Sequence, residues 1–168
     1  MKSAKSIILS GVFTALLIGA QLVLSGVSGI ELVTVLLLAF SYKYGVKQGV
    51  LVATAFSLLR CFIFGFMPNV VVLYLVYYNL FALVFGTLGN LFKQEYTVKR
   101  HAVILGGAVV MTVLFTVIDN IISPLMYAFT ANATKAYWAA SLYTMLPQVI
   151  CAVVTVTLLF PVILKILR

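Results

Sequence analysis

Six apolar stretches, separated by short turns that hold nearly all of the charge, leave this chain little choice of solvent. Read from the turn and charge punctuation, they cover about residues 6–27, 30–45, 48–66, 70–92, 102–129 and 138–164. About 20 apolar residues cross a bilayer as a helix. Lipid offers backbone groups no partners, so spanning segments must be helices or closed barrels. The chain therefore reads as an all-α integral membrane bundle of six transmembrane helices, a single domain over residues 1–168. The second stretch is short and is expected to stand steeply or to sit partly in the interface. Composition agrees: 64% of residues are hydrophobic and 8% charged, against roughly half and a quarter in a soluble domain. The apolar run from Ile7 to Val27 exceeds the roughly 7–15 residues of a signal-peptide core, so it is read as a retained first span.

The net charge of +8 would suggest nucleic acid in a soluble protein. Here the basic residues flank the spans, as the positive-inside rule describes, and no nucleic-acid partner is expected. With the N-terminus in the cytoplasm, Lys2, Lys5, Lys43, Lys47, Lys93, Lys99, Arg100, Lys165 and Arg168 fall inside, leaving only Lys135 outside and Arg60 within the membrane. Both termini are therefore expected to be cytoplasmic. Trp138, beside Tyr137 at the outer end of the sixth span, suits an aromatic belt. Cys61 and Cys151 lie within apolar runs and read as small buried residues.

With sidedness assigned, the polar residues collect in the outer half of the bundle. Arg60 interrupts the third span beyond its midpoint, a position that costs about 2.5–3.5 kcal/mol on insertion scales and that such residues occupy facing a bundle interior or a cavity. Gln21 lies in the outer half of the first span, and Glu31 at the outer end of the second. Tyr74, Tyr77, Tyr78 and Asn79 occupy the outer half of the fourth. In the fifth, Thr116, Asn120, Ser123 and Tyr127 recur at helical spacing, with Asp119 beside them; Ser141, Thr144 and Gln148 repeat the pattern in the sixth. Pro124 and Pro147 fall within these stripes and are expected to kink or splay their helices.

The expectation is an outward-facing cavity that holds a small, polar, ring-containing solute through stacking and a few directed hydrogen bonds. Arg60 would either pair with Asp119 or hold an anionic part of the ligand. Interhelical hydrogen bonding accounts for single Ser and Thr residues, and core packing remains open for the tyrosines. No phosphate-binding loop, HExxH or GxSxG motif, or His/Cys metal set is present, so no ATPase activity, cofactor or metal site is expected. A binding and translocation protein fits better than an enzyme. A small proton- or ion-coupled carrier and an intramembrane enzyme using Asp119 are the alternatives.

In "SGVFTALLIGAQ", Gly11, Ala15 and Gly19 recur every four residues and make a smooth ridge on the first span. Such ridges admit close helix contacts, with a partner's helix or with one from the same bundle.

Taken together, the six short-looped spans, the small-residue ridge and the segment "GIELVTVLLLAFSYKYGVKQGV" resemble the substrate-binding S components of energy-coupling factor (ECF) transporters, the vitamin-uptake branch of ABC transporters. The family's Ala-x-x-x-Ala signature stands here as "GVFTA", with Gly11 in the first position, or as "ALLIG". The resemblance implies capture of a vitamin or precursor at the outer face of a bacterial cytoplasmic membrane. It also implies association with a transmembrane coupling subunit and two ATPases, followed by toppling of the bundle. On that basis Gly11, Ala15 and Gly19 would meet the coupling subunit, and loops near Glu31, Asn69 and Trp138 would gate the pocket. Arg60, Tyr74, Tyr78, Asn79, Asp119, Asn120, Tyr127 and Gln148 would hold the ligand.

Overall fold

A computed structural model describes residues 2–26, 32–93 and 97–167, and every regular element among them is helical. In chain order these are α1 (Lys2–Leu24), α2 (Val33–Tyr44), α3 (Val46–Leu59), α4 (Cys61–Phe64), α5 (Pro68–Leu91), α6 (Val98–Met126) and α7 (Ala131–Ile166). Five helical segments are long and apolar enough to cross a membrane: α1, α3 with α4, α5, α6 and α7. The sixth, α2, is apolar but shorter. The protein is a multi-pass membrane bundle.

α3 and α4 form one 19-residue apolar segment, Val46–Phe64, tightened at Arg60. There the Arg60 carbonyl accepts from both Ile63 and Phe64 backbone amides, at 3.0 and 2.9 Å. Gly65 ends the segment at a φ of +86°, a conformation that costs a residue with a side chain. Pro68 then opens α5 in its first turn, where the missing amide hydrogen would have no partner in any case. At the opposite end of the bundle, Gly45 (φ +81°) is the only residue between α2 and α3. It turns the chain back so tightly that the two helices pack along their length.

The short helix is surrounded by its neighbours. α2 packs against α1, α3, α5 and α7, and nine of its 12 residues are buried. A helix that is apolar on every side belongs in an interior, and here it forms the axis of the bundle. Its C-terminal end is level with the end of α5, because Gly45 lies against Asn90 and Gly89 against the Tyr42 carbonyl. At 1.5 Å per residue α2 rises about 18 Å and α5 about 36 Å. The axial helix therefore stops about half-way up its neighbour. Beyond that point lies the half of the bundle that contains Arg60.

α7 begins earlier than the sequence suggested. The expected loop "ANATKAYW" forms its first turns, capped by the Thr130 hydroxyl, which accepts from the Ala133 amide at 3.3 Å. A side-chain cap and an alanine-rich start favour helix over loop. α6 and α7 run on through Pro124, Pro147 and Pro161.

Candidate functional site

The polar residues beyond the start of α2 divide by whether their hydrogen-bonding capacity is used. Asn79 is engaged through both its oxygen and its nitrogen. Its Oδ1 accepts from the Thr54 hydroxyl of α3 at 2.9 Å, and its amide donates to the Leu75 carbonyl at 2.8 Å. It ties α3 to α5.

Asp119 is equally engaged. The Ser123 hydroxyl donates to its Oδ1 at 2.6 Å and the Tyr137 hydroxyl to its Oδ2 at 2.7 Å. Asn69, at the start of α5, donates to the Ser123 hydroxyl oxygen at 3.1 Å, and Tyr127 donates to Asn69 Oδ1 at 2.8 Å. The donors thus run in one direction, from Tyr127 through Asn69 and Ser123 to the carboxylate, binding α5, α6 and α7 together. The suggested Arg60–Asp119 pair does not form. The two groups share a depth, but Asp119 belongs to the α6–α7 wall and is satisfied there.

Arg60 sits on the other wall. It is 9% exposed, its Nε donates to Gln21 Oε1 of α1 at 3.2 Å, and Gln21 donates in turn to the Tyr74 hydroxyl at 3.2 Å. The guanidinium carbon lies 4.2 Å from the centre of the Tyr74 ring and 5.1 Å from that of Phe64. Such stacking stabilises a desolvated cation by up to about 2 kcal/mol but uses none of its N–H groups. A guanidinium has five N–H donors. The four on the terminal nitrogens reach no described residue, and those nitrogens are not among the polar atoms sealed from solvent.

From Tyr74 an aromatic cluster leads across the bundle. Its ring centre lies 5.0 Å from Tyr78 and 6.1 Å from both Phe56 and Phe115, while Tyr77 and Phe115 are 4.8 Å apart. On the far side Gln148 of α7 joins Tyr77, Tyr78, Thr112 and Phe115 around a cavity of about 10 Å³, room for about one water. The Gln148 amide forms no hydrogen bond with a described residue. Asn120, 3% exposed, donates to the Ser141 hydroxyl at 2.7 Å, while its Oδ1 is buried without a partner. A buried amide oxygen in that state costs about 1–3 kcal/mol.

Of the residues expected from sequence, then, Arg60, Tyr74, Tyr78 and Gln148 form one continuous cluster. Asn120 contributes an orphan acceptor, and Asn79, Asp119 and Tyr127 serve helix–helix contacts. Trp138 is 41% exposed and has no part in the cluster. Glu31 lies outside the described residues. Gln21 matters more than expected, as the residue orienting Arg60; its depth in the first span was the available signal. Phe56, Phe64 and Phe115 were not anticipated, because an apolar residue in a membrane helix carries no mark of which way it faces.

The ridge on α1 looks out of the bundle. Gly11, Ala15 and Gly19 are exposed, and a Cβ on Gly11 or Gly19 would meet no described atom within 4 Å. Beside the ridge runs an apolar groove of about 290 Å³ between α1 and α3, lined by Gly11, Thr14, Ala15, Leu51, Ala55 and Leu59 among others.

Comparison of the chain with protein-family models, with curated proteins and with solved structures finds no match.

Proposed function

We propose that this chain is the solute-binding S component of an ECF-type uptake transporter for a small water-soluble vitamin or precursor. It has six spans with both termini in the cytoplasm and resides in a bacterial cytoplasmic membrane. The observation that carries the reading is the unused polar capacity around the aromatic cluster. The Arg60 terminal N–H groups and the Gln148 amide are accessible and find no described partner, and the Asn120 carbonyl is buried without one. A solute with a flat body and polar edges meets all three needs. Packing of the bundle alone meets none.

The exposed ridge supports the partner half of the proposal. Gly11, Ala15 and Gly19, with the groove beside them, offer a coupling subunit a smooth, close-approach surface on the opposite side of α1 from its buried face. Energy for uptake would come from two ATPases bound to that subunit.

The test is to purify the chain alone in mild detergent, denature it and identify released small molecules by mass spectrometry, then to titrate the identified compound back by calorimetry. The expected result is one tightly bound solute, released unchanged and transported only when the ATPase partners are present. Uptake by the chain alone that collapses with an ionophore would identify a secondary carrier, and chemical alteration of the solute would identify an enzyme.

A further inference from the structure

We infer that the solute is a planar monocarboxylate, its carboxylate held by the terminal nitrogens of Arg60; the inference rests on the solute-binding reading above. Arg60 is more than nine-tenths buried in a bundle whose only described carboxylate, Asp119, is already bound by Ser123 and Tyr137. The cation has no counter-anion among the described residues. Its Nε is fixed by Gln21 and its plane by Tyr74, so the two terminal nitrogens form a rigid fork with no described acceptor. A fork of N–H donors matches a carboxylate or phosphate bidentately. One guanidinium balances one carboxylate, whereas a phosphate monoester at −1.5 to −2 would leave uncompensated negative charge in a site with no second cation. Beside the fork, the partly exposed rings of Tyr74 and Phe64 offer aromatic surface to a flat body behind the carboxylate. Gln148 borders Tyr77, Tyr78 and Phe115 on the far side of the cluster, where its amide is free for a polar edge group.

The same oxyanion chemistry is found in a phospholipid headgroup, so the test separates the two sources. The full chain, stripped of bound solute, is melted while Trp138 fluorescence is followed, with benzoate, benzamide or phenyl phosphate as probes at millimolar concentration. Benzoate is expected to raise the melting temperature in a concentration-dependent way, with benzamide inert. Arg60→Gln is expected to weaken the apparent benzoate affinity about 10- to 100-fold, the loss of a charge-assisted pair of hydrogen bonds. Arg60→Lys keeps the charge without the fork and should lose most of the same effect. It also serves as the reporter should the glutamine variant fail to fold. Equal action of benzoate and benzamide, no action of benzoate, a preference for phenyl phosphate, or undiminished benzoate binding in Arg60→Gln each overturns the inference. Native mass spectra in which Arg60→Gln loses a bound phospholipid, with benzoate inert on the parent chain, would assign the fork to a headgroup and likewise overturn it. If a neutral or cationic compound co-purifies tightly, solute binding stands and the carboxylate alone is lost. If nothing co-purifies but benzoate binds through Arg60, the anion site stands and the vitamin-capture reading falls.

Discussion

The two halves of the bundle along the axis of α2 are built on different rules. In the half that α2 fills, most contacts are apolar and close, although the Ser41 hydroxyl and Gln48 Oε1 are buried there without a partner. Phe81 and Phe85 have ring centres 4.5 Å apart, Tyr42 meets Phe160 edge-on at 5.5 Å, and a Cβ on Gly86 would come within 2.7 Å of the Val46 Cα. In the half beyond Val33, the contacts are hydrogen bonds and stacked rings, and several donors and acceptors are left over. Apolar packing has no preferred partner and can close completely. Polar groups in lipid must be matched one by one, and the Arg60 terminal nitrogens and the Gln148 amide are the ones the proposed solute would engage.

That contrast can be tested first in the closed half. A methyl group on Gly89 would collide with the Tyr42 carbonyl, and backbone cannot move aside as a flexible side chain can. Gly89→Ala is expected to cost about 1–3 kcal/mol or more, as overpacking of a filled core does. Thermal melting in detergent should fall sharply, and saturating solute should not restore it fully. A near-normal melting curve would show that the α2–α5 contact is looser than described here.

In the open half the expectation reverses. Gln148 forms no described hydrogen bond and borders the small cavity, so Gln148→Leu is expected to leave melting unchanged or slightly raised. Affinity for the co-purifying solute, measured by calorimetry, should drop about five- to ten-fold, the worth of roughly 1 kcal/mol of directed hydrogen bonding. Loss of stability without loss of affinity would place Gln148 among the structural contacts. Thr54→Val is a milder case. It removes the donor to Asn79 Oδ1 and should cost about 0.6 kcal/mol, and no more than about 1.7, the range of such bonds between membrane helices. Solute affinity should not change, because the Asn79 hydrogen bonds run to Thr54 and Leu75 and not to the aromatic cluster.

The elements were readable from sequence because the membrane allows so few solutions: a long apolar run between turns is a helix. The axial place of α2 was not readable, since hydropathy gives the length of a run and not its neighbours. The early start of α7 was hidden by Lys135 and Tyr137, whose polarity resembles a loop although a capped, alanine-rich segment folds as helix. Position along each helix was legible for the polar residues, and so the half of the bundle that gathers them was found. Direction around the bundle was not. Arg60 and Asp119 were matched by depth and charge, yet they stand on different walls with different partners. Periodicity within one helix fixes which residues share a face, but nothing in a single sequence says which helix that face meets.

The smallest effect expected within the chain itself is at the ridge. Ala15 is exposed beside an apolar groove, and its neighbours Gly11 and Gly19 have open space where a side chain would be. Ala15→Leu adds an apolar side chain to a surface facing lipid, so stability should stay within about 0.5 kcal/mol, and solute affinity should not move. Uptake by the assembled transporter is where the change should appear, since a leucine on a small-residue ridge holds a partner helix away. A variant that binds normally but fails to transport would separate capture from coupling on opposite faces of α1, with Gln21 serving the first and Ala15 the second. If Ala15→Leu instead destabilised the isolated chain, the ridge would have to pack within the bundle, and α1 would have no free face to offer a coupling subunit.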